Sequence, residues 1–198
     1  MEVAIKRYPE ARSLAHIQLM KTPISFSNKT YELDGGSHYL IRPIQPDDRE
    51  RIIGLFNHLS SESRYLRFAH AISKLPDDFL DDILHLDYKK EMALVAVIKN
   101  DSGADEIVGI ARYVTPPKKS SCEFSLSVSD SHAAHGIGTH LILDLIAHAK
   151  ENGLQEMLGY VLSKNLKMLH LVSDLGFQMT NLDDDPDFKT VRLSLSTQ

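Results

Sequence analysis

The chain has 198 residues, 42% of them hydrophobic and 25% charged, with a formal net charge of −5. That size fits one domain with an extension, and the acidic balance argues against broad nucleic-acid binding, which relies on Lys and Arg neutralising phosphates. The single Cys122 permits no internal disulfide, no apolar run approaches the roughly 18 residues of a membrane span, and no signal-peptide core follows Lys6 and Arg7. A cytoplasmic protein without membrane contact is expected.

Residues 1–30 carry Pro9 and Pro23 and no sustained period, so they read as an N-terminal arm of uncertain order, with the main domain over 31–198. Asp34-Gly35-Gly36 is a turn signal, because glycine tolerates positive φ. HYLIRPI (38–44) then reads as a strand. Pro46-Asp47-Asp48 opens a helix, with proline in the first turn and acids at the positive end of the dipole. Ile52, Ile53, Leu55, Phe56 and Leu59 form its apolar side. SESRYLRFAH (61–70) and PDDFLDDILHL (76–86) predict two further short helices.

EMALVAVIK (91–99) and EIVGIARYV (106–114) are apolar β-type runs joined by DSGAD. SCEFSLSVS (121–129) alternates: Cys122, Phe124, Leu126 and Val128 point one way, Glu123, Ser125, Ser127 and Ser129 the other. A helix follows Gly136 and Gly138 to about Asn152, with Ile137, Leu141, Leu145 and Ala149 as its buried stripe, and Gly153 stops it. LQEMLGYVL predicts a strand, NLKMLHLVSDL a helix, and Gly176-Phe177 the start of a terminal strand pair ending in VRLSL. Strands precede, separate and follow helices, which makes an α/β fold; the hairpin-joined neighbours make the sheet a mixed one.

The stretch DSHAAHGIGTHL (130–141) carries a strand, a glycine turn and a helix start in succession. Such a turn presents unpaired N–H groups and the positive end of a helix dipole to an anion. A dinucleotide fingerprint would need a third glycine where Leu141 stands, and the Gly-Lys-Ser/Thr of a phosphate-binding P-loop is absent. Glycines needed only for close helix packing explain the local motif equally well.

Read together, CEFSLSVSDSHAAHGIGTHLI and NLKMLHLVSDLGF resemble the acyl-CoA-binding half of the GNAT acetyltransferase superfamily. YELDGGSHYLIRPIQPDD, SESRYLRFAH and DYKKEMALVAV resemble, more narrowly, the acetyltransferase domain of bacterial protein-lysine acetyltransferases that modify acyl-CoA synthetases. The resemblance covers about residues 31 to 180. It implies a mostly antiparallel, twisted mixed sheet with helices on both faces and acetyl-CoA as cosubstrate. In the superfamily the pyrophosphate-binding turn reads Gln/Arg-x-x-Gly-x-Gly/Ala, and Ala133-Ala134-His135-Gly136-Ile137-Gly138 stands in its place. Gly136 and Gly138 match, Ala133 departs, and His135 occupies a position where a basic residue is common. The resemblance implies that amides from Ala134 to Thr139 hold the pyrophosphate, and that Leu126, Ser127 and Val128 hold the pantetheine arm through the main chain. Loss of a charge-assisted bond would cost ~1.5–3 kcal/mol, part of which a protonated His135 would restore.

Amide formation from a thioester needs a neutral amine. A lysine of pKa about 10.4 is only ~0.04% neutral at pH 7, a deficit near ~4.6 kcal/mol, so a general base is the usual remedy. In the lysine-acetyltransferase branch the glutamate of an AEFA-like strand is that base, and CEFS puts Glu123 in its place; as an isolated residue it reads equally as an exposed strand glutamate. The tyrosine that other GNAT enzymes use to protonate the thiolate would fall at Val172. Asn165 is placed to bond the pantetheine arm, and also to cap its helix.

Other features carry less chemistry. His140, Asp144 and His148 share one helix face as metal ligands can, but read as a solvated face opposite the apolar stripe. Asp183-Asp184-Asp185-Pro186-Asp187 reads as a charged loop, since it lacks the glycine and glutamate of a calcium site. Tyr65 and Phe68 of the RYLRF block read as packing, and Cys122 as core. No metal is expected. The expected acceptor is a primary amine, by resemblance a protein lysine, with a small-molecule amine as the alternative and a monomer or homodimer as the assembly. A non-catalytic acyl-CoA-binding module and a nucleotide-binding regulator are the competing readings.

Overall fold

A computed structural model describes residues 26–33, 36–182 and 184–196. Eight strands form one sheet: β1 (Lys29–Glu32), β2 (His38–Pro43), β3 (Glu91–Lys99), β4 (Asp105–Val114), β5 (Ser121–Val128), β6 (Glu156–Leu162), β7 (Gln178–Leu182) and β8 (Asp185–Ser194). Their spatial order is β1-β2-β3-β4-β5-β6-β8-β7, and β5–β6 is the one parallel pair in it. The mixed, mostly antiparallel sheet is thus as expected. Parallel neighbours need a crossover, which helix α4 (Ile137–Glu151) supplies.

Helices α1 (Arg49–His58), α2 (Ser61–Phe68) and α3 (Asp77–Leu84) cover one face of the sheet. Their Ile52, Leu55, Phe56, Phe68, Leu80 and Ile83 pack on Ala93, Val95, Val97 and Ile107. Helices α4 and α5 (Leu166–Asp174) cover the other face, with Leu141, Leu145 and Val172 against Met92, Leu94, Val108 and Cys122. The near-continuous apolar runs of β3 and β4 follow from this burial on both sides.

Strand β1 begins at Lys29, so the boundary after residue 30 falls inside a strand, and residues 1–25 of the expected arm lie outside the described residues. Asp34 and Gly35 lie outside them too; Gly36 has the positive φ, +84°, that the turn requires. The capping segment holds more than dipole acids. Asp48 is completely buried and receives both Arg42 guanidinium nitrogens at 2.7 and 2.8 Å, the Gln45 N–H at 2.8 Å and Arg51 at 3.1 Å.

Two expectations are corrected. The face of His140, Asp144 and His148 is not solvated: Asp144 and His148 are only 3% and 4% exposed. At about 100° per residue an i, i+4 row drifts about 40° per step, so 140/144/148 lies only about 80° from the 137/141/145/149 row. That angle turns the row toward the sheet and β1. Asp144 accepts from Lys29 at 2.5 Å and from the Tyr31 hydroxyl at 2.9 Å; the His140 ring stacks on Tyr31 at 4.1 Å and bonds the Tyr39 hydroxyl. Burial first, and then the Asp144 charge, pushes both tyrosines up to about 12. His148 lies 2.9 Å from the Tyr113 hydroxyl.

The second correction concerns the acidic loop. Asp185, Pro186 and Asp187 open β8, and Asp185 pairs with Leu182, while Asp183 lies outside the described residues. Proline is tolerated there because the rungs from β8 to β6 begin only at Phe188.

Candidate active site

Strand β5 is paired with β4 from Glu123 to Val128, but with β6 only from Ser121 to Glu123. Beyond Glu123 the parallel strands part, and no further β5–β6 rung forms among the described residues. A wedge-shaped cleft opens toward the carboxyl ends of both strands. Two helices start there: α4 after β5, and α5 after β6. This is the place in an α/β sheet where backbone groups and helix N-termini converge on a ligand. Leu126, Ser127 and Val128 line the β5 side of the opening. Ala133 to Thr139 and Asn165 stand at its end, so the topology gathers the expected cofactor-binding residues around one cleft. The head of α4 packs closely on β5 and on the later half of α5, because a Cβ on Gly138 would lie 3.3 Å from Leu126, 3.6 Å from Val128 and 3.7 Å from Leu171.

The turn itself is shaped for an anion. Ala134 and Gly136 both have left-handed backbone, with φ 72° and 77°, and His135 between them does not. Alternation of handedness curls successive N–H groups into a concave nest. Behind it, Ile137, Gly138 and Thr139 form the first turn of α4, where N–H groups have no intrahelical acceptor, and the His140 N–H goes to the Gly136 carbonyl at 3.0 Å. Ala133 is extended, with φ −64° and ψ 147°. A diphosphate fits this donor set, since the grip needs main-chain groups and no particular side chain. Asn165 Oδ1 is engaged as the α5 cap, accepting the Met168 N–H at 3.2 Å.

Glu123 occupies the opposite face of β5 from Cys122 and Phe124, both buried in the α4/α5 core. It is half-buried, and its neighbours on this face are Ser125 and Ser127. Above them α1, α2 and α3 cover a small, partly open pocket of about 40 Å³ with apolar walls from Ile52, Phe56, Phe68 and Ile83. Two guanidinium groups enter it, Arg67 from α2 and Arg112 from β4. Arg112 is buried and ion-paired with Glu91. Burial first, and then the charge of Arg112, holds the Arg67 guanidinium down at about 10, against the opposing pull of Glu123. Helix α2 is fastened over this face by Asp130, which accepts the Ser60 N–H at 2.6 Å and the Ser63 hydroxyl at 2.5 Å.

Arg67 and Arg112 are the site residues that sequence reasoning missed. An arginine amid EIVGIARYV, with Glu91 opening the neighbouring strand, was the available signal: a charge in a run buried on both faces needs a partner. Val172, at the position of the absent tyrosine, is fully buried core. Burial pushes the Cys122 thiol up to about 12, which suits a core residue and not a nucleophile. Among the described residues no group of three or more His, Cys, Asp or Glu is arranged to hold a metal, and no helix is long and apolar enough to cross a membrane.

Comparison with known proteins agrees with this geometry. The Acetyltransferase (GNAT) family matches residues 52–177. An acetyltransferase of Pseudomonas aeruginosa is 34% identical over 163 residues, covering 82% of this chain and 87% of its own. Acetyltransferase Pat of Mycolicibacterium smegmatis is 27% identical over 175 residues, covering 83% of this chain; the chain spans 50% of that relative's length. The crystal structure of the GNAT domain of S. lividans PAT superposes with a TM-score of 0.75 at 25% identity, covering 84% of this chain and 96% of that one. On the family match and the Pseudomonas relative, this chain belongs to the GNAT acetyltransferase family.

Proposed function

We propose that the protein transfers an acetyl group from acetyl-CoA to a primary amine by direct attack within a ternary complex, with Glu123 as general base. The observation that carries this reading is the position of Glu123: it sits at the rung where β5 and β6 part, on the face that carries the apolar pocket. The amine gives its proton to Glu123, its lone pair forms the C–N bond, and the C–S bond breaks to release a thiolate that solvent protonates. Main-chain N–H groups of residues 126–128 orient the arm and polarise the thioester carbonyl, and the 134–139 turn holds the pyrophosphate.

The resemblance of residues 31–180 to protein-lysine acetyltransferases supports a lysine acceptor. Glu123→Gln tests the chemistry. The variant is expected to bind acetyl-CoA as the wild type does by calorimetry, while thiol release with an accepted amine falls by about 10²–10⁴-fold. Equal turnover by wild type and variant would assign the base elsewhere. Tight acetyl-CoA binding without turnover by either protein, across lysine peptides and small amines, would make the chain a binding module.

A further inference from the structure

We propose that Asp130 is a positioning residue that couples the cofactor turn to helix α2: acetyl-CoA seated on the turn steadies α2 over the Glu123 face of the sheet, and the Asp130 carboxylate carries that effect. The inference rests on the assignment of the 134–139 turn to acetyl-CoA and goes beyond it, because neither Asp130 nor α2 has a part in that assignment.

Helix α2 has little of its own to hold it in place. It is eight residues long, Phe68 is its one buried residue, and it stops at Ala69, whose left-handed φ of 58° is unfavourable for a residue with a Cβ. Isolated helices shorter than about 12–15 residues are marginal in water. Attachments to other parts of the chain fix it instead. At its N-terminus the Asp130 carboxylate accepts the Ser60 N–H at 2.6 Å and the Ser63 hydroxyl at 2.5 Å, while Ser60 Oγ accepts the Ser63 N–H at 3.1 Å. In its middle the Lys164 ammonium stands 4.0 Å from the centre of the Tyr65 ring. Arg64 ties it to α1, through the Asn57 carbonyl at 3.1 Å and the Phe56 ring.

Asp130 and Lys164 belong to the two connections that flank the cleft. Lys164 lies between β6 and α5, next to Asn165. Asp130 lies between β5 and α4 and is firmly rooted there. The preceding Ser129 is buried and gives its N–H to the Val108 carbonyl on β4 at 2.8 Å. The short turn Asp130–His132 closes with the Ala133 N–H on the Asp130 carbonyl at 3.4 Å, and the left-handed Ala134 of the nest follows at once. Burial would raise the Asp130 carboxyl, but the bonds from Ser63 and Ser60, and then the charge of Lys167 in the first turn of α5, hold it below the ordinary carboxylate range. Its bonds to α2 are therefore charge-assisted at neutral pH. Helix α2 is thus attached on both sides of the cleft, and a ligand that fixes the turn fixes its strongest anchor. A carboxylate that only capped α2 would stabilise it equally with and without the ligand.

Hydrogen–deuterium exchange of peptides covering α2, with and without saturating acetyl-CoA, tests this on wild type, Asp130→Ala and Ser63→Ala, with calorimetry recording binding by each protein. Acetyl-CoA is expected to slow exchange at α2 about fivefold or more in the wild type, and to leave it within about twofold of the ligand-free rate in Asp130→Ala. Ser63→Ala, which keeps the bond from the Ser60 N–H, should fall between them. Simple capping predicts faster exchange in the variants but an unchanged ratio of ligand-free to bound rates, so the ratio decides. Equal ratios in wild type and Asp130→Ala would overturn the proposal, as would an α2 unprotected in a wild type that calorimetry shows to bind acetyl-CoA. If Asp130→Ala does not fold, Ser63→Ala decides: the wild-type ratio in that variant overturns the coupling. Failure of the wild type to bind acetyl-CoA at all would overturn the assignment of the turn, and the coupling with it.

Discussion

The ring of Phe124 lies over Gly159 so closely that a Cβ on Gly159 would come within 2.7 Å of Phe124 Cε1. The two residues face each other one step beyond the last rung between β5 and β6, Glu123↔Leu158. The ring therefore occupies the place of a side chain at the point where the strands begin to part. Gly159→Ala is expected to cost about 1–3 kcal/mol, the usual penalty for overpacking a close-packed contact. Urea unfolding reads it as a lower midpoint at unchanged slope. An unchanged midpoint would mean that the ring moves aside freely.

The turn at the end of the cleft predicts opposite outcomes for neighbouring alanines. Ala134 carries a left-handed φ of 72°, which costs a residue with a Cβ about 1–2 kcal/mol, so Ala134→Gly should stabilise the fold by about 0.5–1 kcal/mol after the entropic cost of glycine. Ala133 has an ordinary φ of −64°, so Ala133→Gly should only destabilise. Thermal unfolding of the two variants checks the sign.

Gly136→Ala isolates the backbone geometry of the same turn. An added Cβ meets only His140, at 3.8 Å, so the penalty is conformational and not steric. The variant should lose about 0.5–1 kcal/mol of stability after the entropy gained by removing glycine, and bind acetyl-CoA more weakly, as the N–H groups no longer converge. Calorimetric affinity equal to wild type would move the diphosphate site away from this turn.

Asp48 holds the start of α1 to β2 through Arg42. Burial alone would raise its pKa, but the hydrogen bonds from Arg42, the Gln45 N–H and Arg51 outweigh it and lower the carboxyl below the ordinary 3.8. Asp48→Ala leaves Arg42 buried without its counter-charge and is expected to cost about 3–5 kcal/mol. A depressed folded-state pKa stabilises above the unfolded value, so this contribution persists at neutral pH and disappears only as pH falls below about 4. Denaturant titrations at pH 7 and pH 3 should therefore show a smaller difference between wild type and variant at the second pH than at the first.

His148 governs a window nearer neutrality. Burial beside Tyr113 lowers its pKa from 6.5, partly opposed by the charge of Glu151. The unfolded chain takes up a proton first, so stability falls as pH drops through about 6.5 and levels off below the folded-state pKa. His148→Gln should flatten that limb of the stability profile. A limb of the same size in the variant would assign it to another group.

Much of the site was legible because it is written in local chemistry. The period of two in SCEFSLSVS put Glu123 on the face away from Cys122 and Phe124, and the glycine turn followed by an apolar helix marked the left-handed backbone at Gly136. Those features depend on neighbours in sequence, and the family blocks then supplied their chemistry. The face of α4 failed for a physical reason as well. Hydrophobicity reports a buried side chain only when burial is apolar, and the buried Asp144 and His148 and the half-buried His140 are covered by pairing with Tyr31, Tyr39, Tyr113 and Lys29 from the strands.

By itself the sequence determined the succession of strands and helices, the polar and apolar edges of β5, and the donor-rich turn after it, because backbone preference and side-chain period act over a few residues. Only the tertiary structure decided that β6 departs from β5 after Glu123, that Asp48 is a buried ion-pair hub, and that Arg67 and Arg112 share a pocket beside Glu123. Each of these is a meeting of groups far apart in the chain, fixed by which sheet face a helix covers and by where a ring such as Phe124 finds room over a glycine.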